Sequence, residues 1–187
     1  GRRQRQMCIR DSHVAQKGSL QDEQRTRFDI SQPVAISADA LKKVENLVNQ
    51  EVRANTEVIT RIMPVEEAMD NGAMALFGEK YDDEVRVVSM GSWDHNKKRS
   101  YSVELCGGTH VSRTGDIGLF KIISESAVSA GIRRIEALTG TNAIGYLEDQ
   151  EKALAQAAEI LKAAPKNVVS RIQTLTEEKK KLEQEVL

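Results

Sequence analysis

The stretch RTRFDISQPVAISADALKKVENLVNQEVRA, residues 25–54, sets the fold class. Thr26, Phe28 and Ile30 alternate with Arg25, Arg27 and Asp29, the two-residue period of a half-buried strand. Pro33 ends that strand or confines it to a sheet edge, because proline has no N–H to give a ladder. Ser37 then offers a hydroxyl to cap a helix over 38–54. Leu41, Val44, Leu47, Val48 and Val52 recur at three- and four-residue spacing and so share one face of it.

Further strands read outward from this pair. One is expected at 58–62, then a short helix with Pro64 in its first turn, running through Met69 to Gly72. Strands follow around Val85 and Val87, at 101–105, at 120–123 and at 132–138. Residues 91–100 are polar, include His95 and carry Lys97, Lys98 and Arg99 in a row, which predicts a hairpin loop. Helices and strands mix without strict alternation. The expectation for 13–148 is therefore one α+β domain with a mainly antiparallel sheet.

Both ends differ in character. Residues 1–12, GRRQRQMCIRDS, fit neither helical nor strand period and are expected to be a non-native or disordered tail; a basic arm for RNA is the alternative. From Asp149 onward there is no glycine, and Pro165 is the only proline. Leu154, Ala158 and Leu161 mark a first helix. Val168, Ile172, Leu175, Lys179, Leu182 and Val186 then step by four and three, a heptad seam with one lysine in it. Residues 149–187 thus predict a helical hairpin or coiled-coil arm, with self-association through 166–187.

Composition narrows the classes of function. Lys and Arg number 27 against 28 Asp and Glu, a net charge of −1, so no global positive field draws in nucleic acid without specific contacts. Aromatic residues are 4%, too few for a stacking platform for single strands. Cys8 and Cys106 are the only cysteines, which excludes a disulfide scaffold and points to a reducing compartment, the cytoplasm. No apolar run approaches the roughly 18 residues of a membrane span.

The chemistry concentrates in Cys106-Gly107-Gly108-Thr109-His110. A C-x3-H spacing at a strand end lets a thiolate and an imidazole meet one Zn²⁺. Gly107 and Gly108 clear side chains from the approach of a ligand. A nucleophile–base pair and a buried structural cysteine beside a satisfied histidine stay open as alternatives. His95 and His13 complete no ligand set.

Six runs resemble the editing region of alanyl-tRNA synthetase: HVAQKGSL (13–20), RFDIS (27–31), GAMALFGEKY (72–81), ELCGGTH (104–110), RTGDIG (113–118) and GIRRIEALTG (131–140). They occur in the family's order. The resemblance implies a threonyl/alanyl-tRNA synthetase editing-type fold, followed by the start of a helical arm. It implies a parent that joins alanine to tRNA(Ala) with ATP in a catalytic domain outside this chain. The region here is similar to the part that hydrolyses Ser-tRNA(Ala) and Gly-tRNA(Ala), which a binding pocket alone rejects poorly.

The resemblance also implies site residues. In the family a zinc is held by an H-x-x-x-H pair and by the Cys and His of C-G-G-T-H. Cys106 and His110 match the second pair. Residues 1–12, where the first pair belongs, contain no histidine, so the chain alone is expected to be a weak or inactive hydrolase. Gln16, before a Lys17-Gly18 turn, resembles a glutamine lining the editing pocket or stabilises that turn. Thr109, beside Gly107 and Gly108, can reach the serine hydroxyl of the substrate. Arg27 either contacts tRNA phosphate or lies on a solvated strand face. Arg133 and Arg134 face opposite ways in a strand. One can take phosphate while the other pairs with an acid such as Glu136. The 97–99 cations are a solvated loop or a sequence-independent RNA contact. The competing reading is a non-catalytic tRNA-binding or helical interaction module.

Overall fold

The structure, a computed structural model, describes residues 14–70, 73, 82–91 and 102–185. The tail at 1–12, His13, most of the 72–81 run, the 92–100 loop with His95, and Val186 lie outside the described residues. The chain divides into two units, the first ending at Ala143 and the second comprising residues 144–187. The first unit is α+β and its strand pairings are all antiparallel, as the patterning predicted.

The described residues of this unit form two sheets. The larger has the order β1-β2-β7-β6, from β1 (Gln16–Gln21), β2 (Thr26–Ser31), β6 (Phe120–Ser129) and β7 (Ile132–Thr139). The smaller has the order β3-β4-β5, from β3 (Ile59–Pro64), β4 (Glu84–Met90) and β5 (Ser102–Leu105). β1 is an addition to the sequence reading. No turn occurs at Lys17-Gly18; the pairing with β2 shifts register between Gln16 and Gly18, so Lys17 forms a bulge in a strand. The β1–β2 turn instead forms at Asp22, whose carboxylate accepts from the backbone N–H of Gln24 and Arg25, each at 2.8 Å. Pro64 closes β3 rather than entering the short helix α2 (Val65–Asp70), which starts one residue later.

The core of the smaller sheet forms where α2 meets it. Ala68, Ala73, Val85 and Val87 are buried, with Met63, Val65, Val103 and Leu105 packed around them. Val85 and Val87 stand two apart in β4 and so share a face, while Val88 is fully buried on the other.

The long helix α1 (Ala38–Ala54) occupies the residues its pattern predicted, and the Ser37 hydroxyl accepts the Ala40 N–H at its start. Its inner face departs from the apolar stripe. Val44 and Leu47 are exposed, whereas Glu45 is buried. The reason lies in β6, the edge strand of the larger sheet, whose outer backbone groups have no neighbouring strand among the described residues. Asn49 donates to the Phe120 carbonyl at 2.8 Å and accepts the Phe120 N–H at 3.0 Å. Glu45 accepts the Ile122 N–H at 3.0 Å and takes the ammonium groups of Lys42 and Lys121 at 2.7 and 3.0 Å. Two polar side chains one turn apart thus cover an edge that would otherwise invite pairing with another chain.

The helix α3 (Gly140–Ile160) carries the chain into the second unit, and α4 (Val168–Glu185) follows. Between them Lys162 takes a left-handed conformation, φ 50°. Its N–H donates to the Glu159 carbonyl and that of Ala163 to the Ala158 carbonyl, the paired bonds that close a helix C-terminus. Pro165 then opens a single 3-10 turn. Ala158 and Val168 are buried. Ile172, Leu175 and Leu182 of the heptad seam are exposed. No helix among the described residues is long and apolar enough to cross a membrane.

Candidate functional site

The C-G-G-T-H run leaves the smaller sheet at the end of β5. β4 and β5 pair Val87 with Leu105, and the ladder runs one step further: the Cys106 N–H donates to the Arg86 carbonyl at 3.1 Å. The chain then turns away. Arg86 holds the turn, its Nη1 donating to the Cys106 carbonyl at 2.8 Å and also to the Gly108 carbonyl. Cys106 is half-buried, and Gly107, Gly108, Thr109 and His110 are exposed. A Cβ added at Gly107 would meet nothing within 4 Å, and one at Gly108 would lie 3.6 Å from the Cys106 Sγ. The two glycines therefore leave an open approach to the thiol, which is free of any disulfide.

The exit of the turn is anchored as firmly as its entry. The Ser112 carbonyl accepts the Val58 N–H at 2.9 Å. Arg113 donates to the Asn55 side chain and carbonyl, and Asp116 accepts the Arg113 N–H at 2.9 Å. Thr114 is buried against the C-terminus of α1. The R-T-G-D run thus ties the turn to the helix.

Arg133 and Arg134 of the larger sheet are each held by a carboxylate. Arg133 is clamped by both carboxylate oxygens of Glu125, one of which also accepts the Ile36 N–H. Arg134 pairs with Asp29 through two bonds of 2.7 and 2.8 Å. The sequence reading offered Glu136 as an acid partner; instead Glu136 takes Arg25 at 2.7 Å and the Ser124 hydroxyl at 2.9 Å. The Arg134 bonds hold the Asp29 carboxyl below the usual carboxylate range, and Arg133 does the same to Glu125. Arg27 is different. Its Nε is buried without a hydrogen-bond partner, and Asp29 lies 3.9 Å away. Gln16 begins β1, donates to the Ser19 hydroxyl, and shares a cross-strand row with Ile30 and Arg133.

The expected site residues therefore fall on two sheets: Cys106–His110 beyond β5, and Gln16, Arg27 and Arg133 across β1, β2 and β7. Among the described residues no three His, Cys, Asp or Glu side chains gather to hold a metal ion. Cys106 and His110 alone do not fit a complete zinc site, which needs at least three protein ligands. Arg86 was not anticipated. Arg86 alternates with Val85 and Val87 as a residue on the solvated face of a strand would, so the sequence carries no signal of its role.

Residues 85–136 match the model of the threonyl and alanyl tRNA synthetase second additional domain. Alanine–tRNA ligases are similar along nearly the whole chain. That of Chelativorans sp. (strain BNC1) is 55% identical over 177 residues, covering 94% of this chain and 20% of the relative. That of Granulibacter bethesdensis is 58% identical over 172 residues, covering 92% and 20%. The ligase of Sinorhizobium medicae is 54% identical over 177 residues. The chain spans about a fifth of the length of these curated relatives.

Proposed function

We propose that this chain, which belongs to the alanine–tRNA ligase family over the segment it spans, is the part of its parent where mischarged tRNA(Ala) is hydrolysed. The reaction adds water across the ester between a wrongly attached serine or glycine and the tRNA ribose. It releases the free amino acid and intact tRNA. Ligation of alanine with ATP belongs to the parent protein, in the cytoplasm. The observation that supports hydrolysis at this place is the Cys106–His110 turn, open above Gly107 and Gly108 and braced from below by Arg86.

Each residue has a stated part in this reading. Cys106 and His110 are two of the family's zinc ligands, and the H-x-x-x-H pair supplies the others. Thr109 meets the serine hydroxyl of the substrate, and Gln16 borders the pocket. Arg27, whose Nε lies 3.9 Å from the Asp29 carboxylate, and Arg133 are the two proposed phosphate contacts. Arg133 would have to exchange its Glu125 clamp to serve.

Deacylation of Ser-tRNA(Ala) tests it. The 187-residue chain should act only slightly above background. Joining an upstream segment that carries H-x-x-x-H should raise hydrolysis, and Cys106→Ala in that longer chain should remove it again. A longer chain that binds tRNA(Ala) yet hydrolyses nothing would leave the non-catalytic binding module. That second reading draws on the exposed Ile172, Leu175 and Leu182 of α4 as a seam for self-association.

A further inference from the structure

We propose that Arg86 is the positioning residue of the Cys106–His110 turn, holding in one conformation a backbone that Gly107 and Gly108 would otherwise leave loose. This rests on the reading of that turn as part of the hydrolytic site. Glycine has the widest conformational freedom of any residue, so a Gly-Gly step between two candidate ligands defeats their alignment unless something outside it restrains the chain. The restraint is visible on both sides of Gly107. One guanidinium nitrogen donates to the carbonyl before it, on Cys106, and to the carbonyl after it, on Gly108.

Two features set Arg86 apart from an ordinary strand arginine. Arg25, Arg133 and Arg134 each hold a carboxylate, whereas among the described residues no acid pairs with Arg86. Its hydrogen bonds go to the turn. Its neighbours Val85, Val87 and Val88 are all buried, so the Cα of Arg86 is placed rigidly by the core of the smaller sheet. A fixed base and a fork of fixed geometry convert the rigidity of β4 into rigidity of the turn.

The test uses the full chain in a Cys8→Ser background, leaving Cys106 as the sole thiol. Backbone order parameters at Gly107, Gly108 and Thr109 should lie near the rigid value of about 0.85, and Arg86→Met should drop them below about 0.6 while those of β4 and β5 hold. Alkylation of Cys106 by iodoacetamide should accelerate by roughly tenfold, the decade that losing a charge-assisted hydrogen bond corresponds to. Arg86→Lys, able to donate to these carbonyls from a shorter stem, should fall between. In the longer chain with the upstream H-x-x-x-H, Arg86→Met should lower kcat for Ser-tRNA(Ala) and leave KM in place. Unchanged order in the turn, or equal loss in turn and strands, overturns the proposal. If Arg86→Met does not fold, Arg86→Lys is judged by the same two criteria. Order and alkylation read the turn without any hydrolysis, so a longer chain that fails to hydrolyse counts against the function and not against Arg86.

Discussion

Thr114 donates its hydroxyl to the Glu51 carbonyl at 2.8 Å and accepts the Thr56 N–H at 3.0 Å on the same oxygen. Asn55 between them is left-handed, φ 49°, and its N–H donates to the Val52 carbonyl. A helix ending this way ordinarily adds a direct bond from the next N–H back to the carbonyl five residues earlier. Here the Thr114 hydroxyl is inserted into that bond and relays it. The C-terminus of α1 is therefore completed by a residue from the segment that follows the Cys106–His110 turn.

Thr114→Val keeps the shape and removes the relay. The Glu51 carbonyl and the Thr56 N–H both lose the Thr114 hydroxyl in a half-buried place, at a cost of about 1–3 kcal/mol. Urea unfolding should show the midpoint falling with the slope unchanged. Thr114→Ser, which keeps the hydroxyl, should recover most of the loss. An unchanged midpoint in Thr114→Val would show that the relay contributes nothing.

The edge of β6 gives a second prediction. Asn49→Ala strips the Phe120 N–H and carbonyl of their partners, again about 1–3 kcal/mol. It also exposes backbone at a sheet edge, so light scattering at raised concentration should report more self-association than the unsubstituted chain shows. Asn49→Asp should lower stability too, because a carboxylate cannot donate to the Phe120 carbonyl.

These two residues show where sequence patterning stopped. Leu41, Val48 and Val52 obey the helical period and were legible, as was the Ser37 cap. Glu45 and Asn49 sit on the same inner face, yet a polar residue in an apolar stripe reads as exposed until its partner is known. That partner is a backbone edge some 70 residues further on in the chain, invisible to any local pattern. The same holds at the turn. Cys106 and His110 announce themselves by residue type and spacing, and Arg86 does not, because its targets are carbonyls, which every residue has. β1 was hidden by its polar composition, QKGSLQ, which lacks the apolar alternation of β2.

Acid should weaken the first unit. Asp29 and Glu125 are held below the ordinary carboxylate range by Arg134 and Arg133. For Glu45, burial pushes the carboxyl up, but bonds from Lys42, Lys121 and the Ile122 N–H outweigh it and the net shift is down. A carboxyl depressed on folding contributes stability that is complete above its unfolded value and disappears as pH falls through its folded one. Thermal midpoints should thus hold above about pH 5 and fall below about pH 4. Glu45→Gln should lower the plateau and flatten the acid limb. A limb as steep as that of the parent would remove Glu45 from the account.

Gly118 resists replacement by backbone conformation and by a backbone neighbour together. Its φ of 69° and ψ of −155° lie in a region that only glycine enters without strain. An added Cβ would stand 3.0 Å from the Cα of Gly140, which is backbone and cannot swing aside. Gly118→Ala should cost at least about 1–3 kcal/mol. Gly131 is also at positive φ, 72°, but a Cβ there meets nothing within 4 Å, so Gly131→Ala carries the conformational cost alone and should be the milder of the two. Equal losses would mean that the approach of Gly140 is not what matters.

Zinc content follows from counting donors. Cys106 and His110 offer one thiolate and one imidazole, and residues 1–12 contain no histidine to join them. A hydrolytic zinc site ordinarily takes three protein ligands with water in the fourth position. After dialysis against a chelator the 187-residue chain should hold far less than one zinc per molecule by elemental analysis. Adding the upstream H-x-x-x-H should bring it to one, and Cys106→Ala in that longer chain should bring it down again, because a methyl group cannot donate to a metal. Tight stoichiometric zinc in the 187-residue chain would contradict the count and require a substitute ligand. Cys8 and His13 are the candidates by residue type. Recruiting Cys8 would mean ordering a segment with no structural pattern of its own, at about 1–2 kcal/mol of backbone entropy per residue. Cys8→Ser would then release the metal, whereas it should leave the zinc content of the longer chain unchanged.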